Sequence, residues 1–401
     1  MECLDKKEEK KDVWSIAYLL IFGLTFANEY YFTTMLPAGF LENTARYFYA
    51  ALLLYVVAKI IFSKQYELKD VVIAAIIVGT FGLSAVLSGY IELIQIGLLI
   101  AGAKNVDFKK ILKVYVIIGL LMMTVALVLS QTGVIVDIIT YTPRKINGGM
   151  RHSYGSIYPT DFAAHVFYLI MAIACAFKWG KKKWMLYVAT LVISGLVMYK
   201  CLALTTTICL VMFVVLAIVA EPVLKRENAF SKIFEKVLEL SPIMLALVFF
   251  VLCKLYTVGN AIMEKINVVL SKRVEIGNSA FEKYNIKLFG QFIKEQGWGG
   301  LPEGVDESQY FFLDDSYIRI LLEYGLVLFI VVMVLYTLSI KRAFDKKQTM
   351  IAVALVAIGM HSFMEHHYLE VAYNPFVYFA LASVSKATSM SKTENIAPEL
   401  D

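Results

Sequence analysis

The sequence predicts an all-α integral membrane protein that crosses the bilayer many times, and three observations lead to this prediction. Of the 401 residues, 59% are hydrophobic and only 18% are charged, whereas a soluble domain carries about 25% charged residues. The apolar residues are gathered into blocks near the length that a bilayer-spanning helix needs, about 20 residues. Short segments rich in lysine separate these blocks. The composition therefore argues against a soluble enzyme of two or three domains.

Each apolar block should form a helix, because an unpaired backbone amide costs several kcal/mol in lipid. One block, residues 71–102, is too long for a single span, and Gly79, Gly82 and Gly89 permit a tight reversal within it. We therefore divide it in two. The predicted membrane spans, about 12 in number, lie at residues 13–34, 45–62, 70–85, 87–102, 112–131, 161–178, 184–199, 203–220, 240–257, 317–340, 351–366 and 371–387.

Lysine and arginine are distributed unevenly over the connections, and this predicts the orientation of the chain. The N-terminal segment and every second connection hold most of the lysines, for example Lys181–Lys183, Lys346 and Lys347. Cytoplasmic loops of membrane proteins carry such an excess of cations. We expect both termini in the cytoplasm and the protein in the cytoplasmic membrane. The five cysteines show no CxxC spacing, so neither a disulfide framework nor a zinc site is predicted from them.

The chain is predicted to form one membrane domain over residues 1–387, followed by a cytoplasmic tail at residues 388–401. Two external loops are long, at residues 132–160 and 258–316. The second loop is far longer than an ordinary connection, and loops of such length are usually functional or disordered. Within it, NAIMEKINVVLSKR and FEKYNIKLFGQFI place apolar residues on one helical face. We therefore expect two helices at the outer membrane interface.

The first external loop ends in GGMRHSYGSIYPTDF, which places Arg151 and His152 at the entrance to the sixth span. The glycines of this segment permit a close approach of the backbone to a ligand. The arginine could bind an anionic ligand here, or it could hold its charge among lipid phosphates while its stem lies along the membrane. The sequence leaves both interpretations open.

Three segments of the chain, taken in order, resemble one bacterial family. RHSYGSIYPTDFAAHV is similar to the segment before a middle helix of Wzy-type polysaccharide polymerases, in the superfamily of O-antigen polymerases and ligases. LSKRVEIGNSAFEKYNIKLFGQ, followed by YFFLDDSYIRILLEYGLV, is similar to the second external loop of that family, and HSFMEHHYLEVAYNPF to its late signature. These segments cover residues 150–165 and 270–376. The chain departs from the usual Pro-Asn at PTD and from the usual Asp-Asn-Ser at DDS.

The resemblance implies a glycosyltransferase that joins polyprenyl-diphosphate-linked oligosaccharide repeat units, of the undecaprenyl type, into capsular, exopolysaccharide or O-antigen chains. The reaction takes place at the outer face of the membrane. A sugar hydroxyl of one unit displaces polyprenyl diphosphate from another, so that no nucleotide, metal or other cofactor is needed. The implied partners are the lipid-linked oligosaccharide, membrane lipid, a flippase and a chain-length regulator. No nucleic-acid binding is expected.

Cationic side chains are the candidates for binding the diphosphate. The resemblance points to Arg151 and Arg273, with His152 beside the first, since guanidinium binds phosphate oxygens in a bidentate manner. Arg319 lies about one turn inside the tenth span, where a buried cation is expensive and typically functional. An ion pair with Glu323, four residues further on, would explain Arg319 without any role in function.

The residues that could accept the proton of the attacking hydroxyl are carboxyl or imidazole side chains near the outer ends of the predicted spans. They are Asp315, Glu365 and His361, with Asp314, His366 and His152 as further choices. Asp315 would equally well cap the helix that begins at Ser316. The histidines around Glu365 could imitate a metal site, yet no HExxH spacing occurs, and we expect no metal.

Other functions stay open at this point. An O-antigen ligase would transfer a finished glycan to a different acceptor. A flippase would move the lipid-linked unit across the membrane, and it should show charges along the spans and pseudo-symmetric halves. The polar residues of this chain instead concentrate in one long external loop. A small-solute transporter fits less well, because few charged residues lie near the middle of the predicted spans.

Overall fold

The computed structural model describes residues 2–37, 39, 44–142, 146–297 and 310–384, and most of these residues lie in α-helices. In chain order the α-helices are α1 (Glu2–Phe32), α2 (Ala45–Phe62), α3 (Leu68–Ser88), α4 (Glu92–Gly102), α5 (Phe108–Gln131), α6 (Pro159–Ala176), α7 (Lys183–Cys201), α8 (Leu204–Leu224), α9 (Ala229–Leu255), α10 (Ala261–Val269), α11 (Arg273–Lys283), α12 (Ser316–Ile318), α13 (Leu326–Asp345) and α14 (Thr349–Ser362).

Seven helices in the described part of the chain are long and apolar enough to cross a membrane, and they confirm the prediction of a helical membrane protein. They are α3, α5, α6, α7, α8, α9 and α13. Large apolar side chains remain exposed on their surfaces, for example Ile117, Leu121 and Leu247, each more than half exposed. Such a surface suits a lipid environment, because lipid tails are as apolar as these side chains.

Helix α14 forms the centre of the bundle. It packs against α6, α8, α9 and α13, and nearly all of its side chains are buried. A helix that is apolar on every face is typical of a core or a membrane span. The position of α14 fixes the chain that follows it, residues 363–370, in the interior of the protein.

The N-terminal helices pack around a row of aromatic side chains. α1 contacts α2 and α5, and α4 contacts α2 and α3. The aromatic side chains on one face of α1, at the i, i+4 spacing of a helix face, are Tyr18, Phe22, Phe26 and Tyr30, all buried. At Gly97, α4 approaches α3 so closely that a Cβ atom there would lie 2.8 Å from Cβ of Phe81. A glycine at this position therefore permits the tight pairing of α3 and α4.

The first long loop contains a short antiparallel hairpin, formed by β1 (Ile139–Tyr141) and β2 (Met150–His152). Strand β2 contacts α7. The carboxylate of Asp137 accepts hydrogen bonds from the backbone N–H groups of Ser153 and Tyr154, at 3.1 and 2.8 Å. These bonds fix the turn between the hairpin and α6, and so position the residues of β2 at the end of the bundle.

The second long loop contains α10 and α11 in its described part. α10 lies within the first segment for which a helix is predicted. The second predicted helix, at residues 281–293, is wrong, because α11 ends at Lys283 and the chain beyond it is not helical. Those residues form backbone hydrogen bonds with the chain around the start of α13 rather than among themselves.

The predicted tenth span, residues 317–340, is a broken helix rather than a continuous one. α12 continues into a π-helical stretch, Arg319–Tyr324, and the chain breaks at Gly325 before α13 begins. Gly325 has a φ of 99°, and a Cβ atom there would lie 2.2 Å from the backbone nitrogen of Gly290. Only glycine permits two backbones to touch in this way. Backbone hydrogen bonds tie the two segments together around this contact.

The last predicted span, residues 371–387, differs from a regular α-helix in its described part. The chain there forms a 3₁₀ helix at Pro375–Ala380, and the side chain of Asn374 accepts a hydrogen bond from the backbone of Phe376. A proline disfavours helical geometry at the residue before it, which accounts for the break at Asn374. The chain from residue 385 onward, with the predicted tail, lies outside the described residues.

Candidate functional site

Three segments that are far apart in the sequence bring Arg273, Asp314 and Glu365 together. Arg273 is the first residue of α11, Asp314 lies just before α12, and Glu365 follows α14. Nη2 of Arg273 lies 3.5 Å from Oδ2 of Asp314 and 3.5 Å from Oε1 of Glu365. Its Nε donates a hydrogen bond to the carbonyl of Met364. We call Arg273, Asp314 and Glu365 the Arg273 cluster.

Arg273 is a permanent positive charge in a largely buried place, with 12% of its side chain exposed. Burial lowers the pKa of its guanidinium, but the carboxylates of Asp314 and Glu365 raise it by more, so that the pKa lies above its usual value. Charge-assisted hydrogen bonds between such groups are normally about 2.7–2.9 Å long. The two 3.5 Å contacts are therefore longer than ordinary charge-assisted hydrogen bonds.

The turn that aims Arg273 into the protein is conformationally strained. Ser271 and Lys272, the two residues before it, have φ values of 53° and 66°. The left-handed region costs about 1–2 kcal/mol for each residue that is not glycine. Strain of this kind persists only where the surroundings hold it in place, and it is frequent at functional sites.

Asp315 caps α12, which was one of the two interpretations of this residue. Its Oδ1 accepts a hydrogen bond from the backbone N–H of Ile318, at 2.6 Å. Its Oδ2 is buried without a hydrogen-bond partner among the described residues. Burial raises the pKa of the Asp315 carboxyl well above its usual value. Asp315 also lines, with Arg273, a small cavity that has room for about one water molecule.

Arg319 is paired on three of its nitrogen atoms. Its Nη2 lies 2.9 Å from both carboxylate oxygens of Glu295, and its Nη1 lies 3.0 Å from Oε2 of Glu323. Its Nε donates to the carbonyl of Leu313, at 3.1 Å. In the sequence analysis, an ion pair with Glu323 is offered as an explanation of Arg319 that needs no role in function, and this ion pair is present. The second partner, Glu295, was missed in the sequence analysis. This network holds the long loop against α12.

His361 lies inside the bundle, four residues before Glu365, whose backbone N–H donates a hydrogen bond to the carbonyl of His361, at 3.0 Å. The imidazole of His361 has a different partner. Its Nε2 is 3.2 Å from Oγ1 of Thr206, and its ring stacks on Phe167 with the centroids 4.3 Å apart. The side chain is fully buried. His361, one of the three first candidates for the base, is thus enclosed by helices α6 and α8.

Arg151 lies on strand β2 of the hairpin and contacts the end of α7 and the residue before α6. Its Nε donates to the carbonyl of Cys201, at 3.0 Å, and its guanidinium carbon lies 5.3 Å from the ring centroid of Tyr158. It forms no ion pair with any carboxylate of the described residues. Arg151 is thus held at the end of α7, and no contact described for it joins it to Arg273 or Glu365.

His152 has a partner within its own loop. Its Nδ1 lies 2.7 Å from Oδ2 of Asp137, and its ring stacks on Tyr154. Asp137 also holds the backbone that follows the hairpin, and sequence reasoning did not single it out. This arrangement fits a residue that stabilises the hairpin carrying Arg151.

Two carboxylates that sequence reasoning missed lie beside the histidines after α14. Glu370 Oε1 is 3.3 Å from Nε2 of His366, and Glu370 Oε2 is 3.0 Å from Nδ1 of His367. Asp161, at the start of α6, lies 3.8 Å from Nε2 of His367. The signal in the sequence is HHYLE, which puts Glu370 four residues after His366.

Two partly buried carboxylates, Glu29 and Glu92, lie between α1, α4 and the last segment of the described chain. Gln95 donates to Oε1 of Glu29, at 3.0 Å. Glu92 accepts hydrogen bonds from the hydroxyl of Tyr90, at 3.0 Å, and from the backbone N–H of Val371, at 2.8 Å. These bonds join helices, as polar residues within membrane proteins commonly do.

Comparison with known proteins found no match to a protein-family model, to a curated protein or to a solved structure. The functional argument therefore depends on the residues of the site and on the sequence resemblance.

Proposed function

We propose that the protein is a polymerase of lipid-linked glycans. It would join polyprenyl-diphosphate-linked oligosaccharide repeat units into a capsular, exopolysaccharide or O-antigen chain. The observation that supports the proposal most directly is the place of Arg273, a largely buried arginine that lies 3.5 Å from a carboxylate oxygen of Glu365. Arg151 and Arg273 both lie in segments of the sequence that resemble the Wzy-type family.

In the proposed reaction, a sugar hydroxyl of one repeat unit attacks the anomeric carbon of the glycan on a second lipid carrier. The new carbon–oxygen bond forms as the bond to the diphosphate breaks, and polyprenyl diphosphate leaves with its electron pair. Arg273 and Arg151 stabilise the negative charge that develops on the leaving group, because guanidinium matches phosphate oxygens in geometry and charge. The long contacts of Arg273 with its carboxylates favour this role, since a phosphate can replace them.

We assign the acceptance of the hydroxyl proton to Glu365. It is the only one of the three first candidates that contacts Arg273 within ion-pair distance among the described residues. Asp315 already caps α12 with one oxygen, and His361 is enclosed between aromatic rings and Thr206. A base must lie within hydrogen-bond reach of the proton that it removes, which favours a carboxylate beside Arg273. Asp314 lies equally close to Arg273, at 3.5 Å, and is the second choice for the base.

The proposal includes a topology of twelve membrane crossings, with both termini in the cytoplasm and the Arg273 cluster on the outer side. The seven long apolar helices supply seven crossings. α1, α2, α4, α14 and the chain at residues 363–384 would supply the others. The burial of α14 and of the chain after it supports their place within the membrane. Non-helical backbone at membrane depth needs protein partners for its polar groups, and a buried segment has them.

The test is glycan growth in a purified system. The protein in detergent, given lipid-linked repeat units and no nucleotide, should produce longer glycans on the lipid carrier. Arg273→Ala should reduce the rate by at least about 100-fold, the usual effect of removing a group that stabilises developing charge. Arg226→Ala, which removes an exposed arginine after α8, should leave the rate unchanged.

Other outcomes would select the alternatives. Movement of the lipid-linked unit across liposomes without any glycan growth would support a flippase and contradict the polymerase. Transfer of a glycan to a different acceptor, without growth of the repeat-unit chain, would support a ligase. Full activity of the Arg273→Ala variant would contradict the assignment of Arg273 to the leaving group.

A further inference from the structure

The side chains of His366, His367 and Glu370 form a compact group of possible metal ligands. One donor atom from each residue can be chosen so that all three lie within 4.8 Å of one another. Nε2 of His366 is 3.3 Å from Oε1 of Glu370, and Nδ1 of His367 is 3.0 Å from Oε2 of Glu370. Zinc ligands at about 2.0–2.2 Å from a tetrahedral ion lie about 3.3 Å from one another. The two separations are close to that value, and each uses a different oxygen of the Glu370 carboxylate.

The second ring nitrogen of each histidine provides an independent observation. Nδ1 of His366 and Nε2 of His367 are buried and have no hydrogen-bond partner among the described residues. Each faces another carboxylate, with His366 Nδ1 at 4.0 Å from Asp314 and His367 Nε2 at 3.8 Å from Asp161. The side chain of His367 is only 1% exposed. A histidine that binds a metal normally donates its other N–H to a carboxylate, and here the two carboxylates lie just beyond hydrogen-bond distance.

Ring packing holds both histidines in this orientation. The ring of His367 stacks on Tyr373 with the centroids 3.9 Å apart, and the edge of Phe312 meets the ring of His366 at 5.0 Å. The two imidazoles are themselves 4.1 Å apart. Ligands that are fixed before the ion arrives lose little conformational freedom when it binds.

The charge around the group also favours a cation. Asp161, Asp314 and Glu370 all lie within 4.0 Å of one of the two histidines. Two arginines lie in this part of the protein, and both already have carboxylate partners: Arg273 has Asp314 and Glu365, and Arg319 has Glu295 and Glu323. Carboxylates therefore outnumber fixed cations here, and a divalent ion would balance them.

We propose that His366, His367 and Glu370 bind one divalent transition-metal ion, with zinc as the best match. Two imidazoles and one carboxylate are a ligand set that zinc, among such ions, accepts in tetrahedral geometry with one position left open. Asp161 and Asp314 act as outer partners that orient the two rings. The inference does not depend on the proposed function, since metal binding needs no glycan.

The test measures metal in the purified protein. After treatment with a chelator, the protein in detergent is equilibrated with Zn²⁺ alone and its metal content is determined. We expect one ion per chain, and Co²⁺ in its place should give the absorption spectrum of a tetrahedral nitrogen and oxygen site. His367→Gln and Glu370→Gln should lower the affinity by at least about 10-fold, and Asp161→Asn should have a smaller effect in the same direction.

His152→Gln is the matched control, because this histidine is also paired with a carboxylate but lies on the hairpin. Its metal content should equal that of the unmodified protein. Melting temperatures measured without metal show whether each variant is folded. If a variant of a ligand residue does not fold, Asp161→Asn still tests the proposal, because it changes an outer carboxylate and leaves all three ligands in place. Absence of stoichiometric zinc from the unmodified protein, or equal affinity in all variants, would overturn the proposal.

Discussion

Arg273 and Arg319 are both buried arginines with two carboxylate partners each, yet their contacts differ in a way that bears on function. Arg319 has contacts of 2.9 and 3.0 Å with Glu295 and Glu323. The contacts of Arg273 with its carboxylates are 3.5 Å long. We infer that Arg319 stabilises the fold, whereas Arg273 remains available to a ligand.

Replacement of Arg319 by alanine should destabilise the protein strongly. It would leave Glu295 and Glu323 buried without a counter-charge, and removal of one partner of a buried ion pair costs about 3–5 kcal/mol. The melting temperature in detergent measures this loss. Lys341→Ala, which removes an exposed ion pair with Asp345, should change stability by less than about 1 kcal/mol. Equal melting temperatures for the two variants would contradict the structural role of Arg319.

Two replacements of Asp315 separate its capping role from its charge. In Asp315→Asn the side chain can still accept the hydrogen bond from the backbone N–H of Ile318. In Asp315→Ala this cap is lost, and the free energy of unfolding should fall by about 1 kcal/mol. The buried carboxyl has a pKa above its unfolded value. Its favourable contribution is therefore present at low pH and is lost as the pH rises above about 4.

The stability of Asp315→Asn relative to the unmodified protein should thus increase as the pH is raised from about 4. Melting curves over a pH series measure this difference. A difference that stays constant with pH would show that the carboxyl is ionised in the folded protein.

At the scale of elements, the sequence predicts the existence of helices well and their continuity poorly. α5, α6 and α8 agree with predicted spans to within a few residues, because continuous apolar runs with polar flanks define them locally. The break at Gly325 depends on the contact with Gly290, which is a long-range feature. The same holds for residues 284–293, whose apolar pattern suits a helix although their backbone pairs elsewhere.

Gly325→Ala should therefore damage the fold more than an ordinary glycine replacement. The new Cβ atom would meet the backbone of Gly290 at 2.2 Å, and the φ of 99° is unfavourable for alanine. Gly79→Ala is the matched control, since nothing lies within 4 Å of a Cβ atom at that position in α3. Melting temperatures in detergent should fall for the first variant and stay equal or rise slightly for the second. Equal stability of both variants would contradict the backbone contact.

At the scale of the whole molecule, composition and the spacing of apolar blocks are sufficient to predict a helical membrane protein. The contact of Arg273 with Glu365 cannot be read from local patterns, because the first residue begins α11 and the second follows α14. The role of Arg151 and Arg273 at a diphosphate is implied by the family resemblance and stays a proposal. In the sequence analysis, the histidines near Glu365 were considered as a possible metal site but Glu370 was missed, because only the HExxH spacing was looked for.

The central claim is that Arg151 and Arg273 together bind the diphosphate of a lipid-linked glycan during chain growth. The most direct measurement is the rate of glycan growth by the unmodified protein, Arg151→Ala, Arg273→Ala and the double variant, all with the same lipid-linked substrate. Because both arginines would act on one leaving group, each single variant should lose most of the activity, and the double variant should be slower by less than the product of the two effects. Unchanged growth in either single variant, or effects that multiply independently, would contradict the claim.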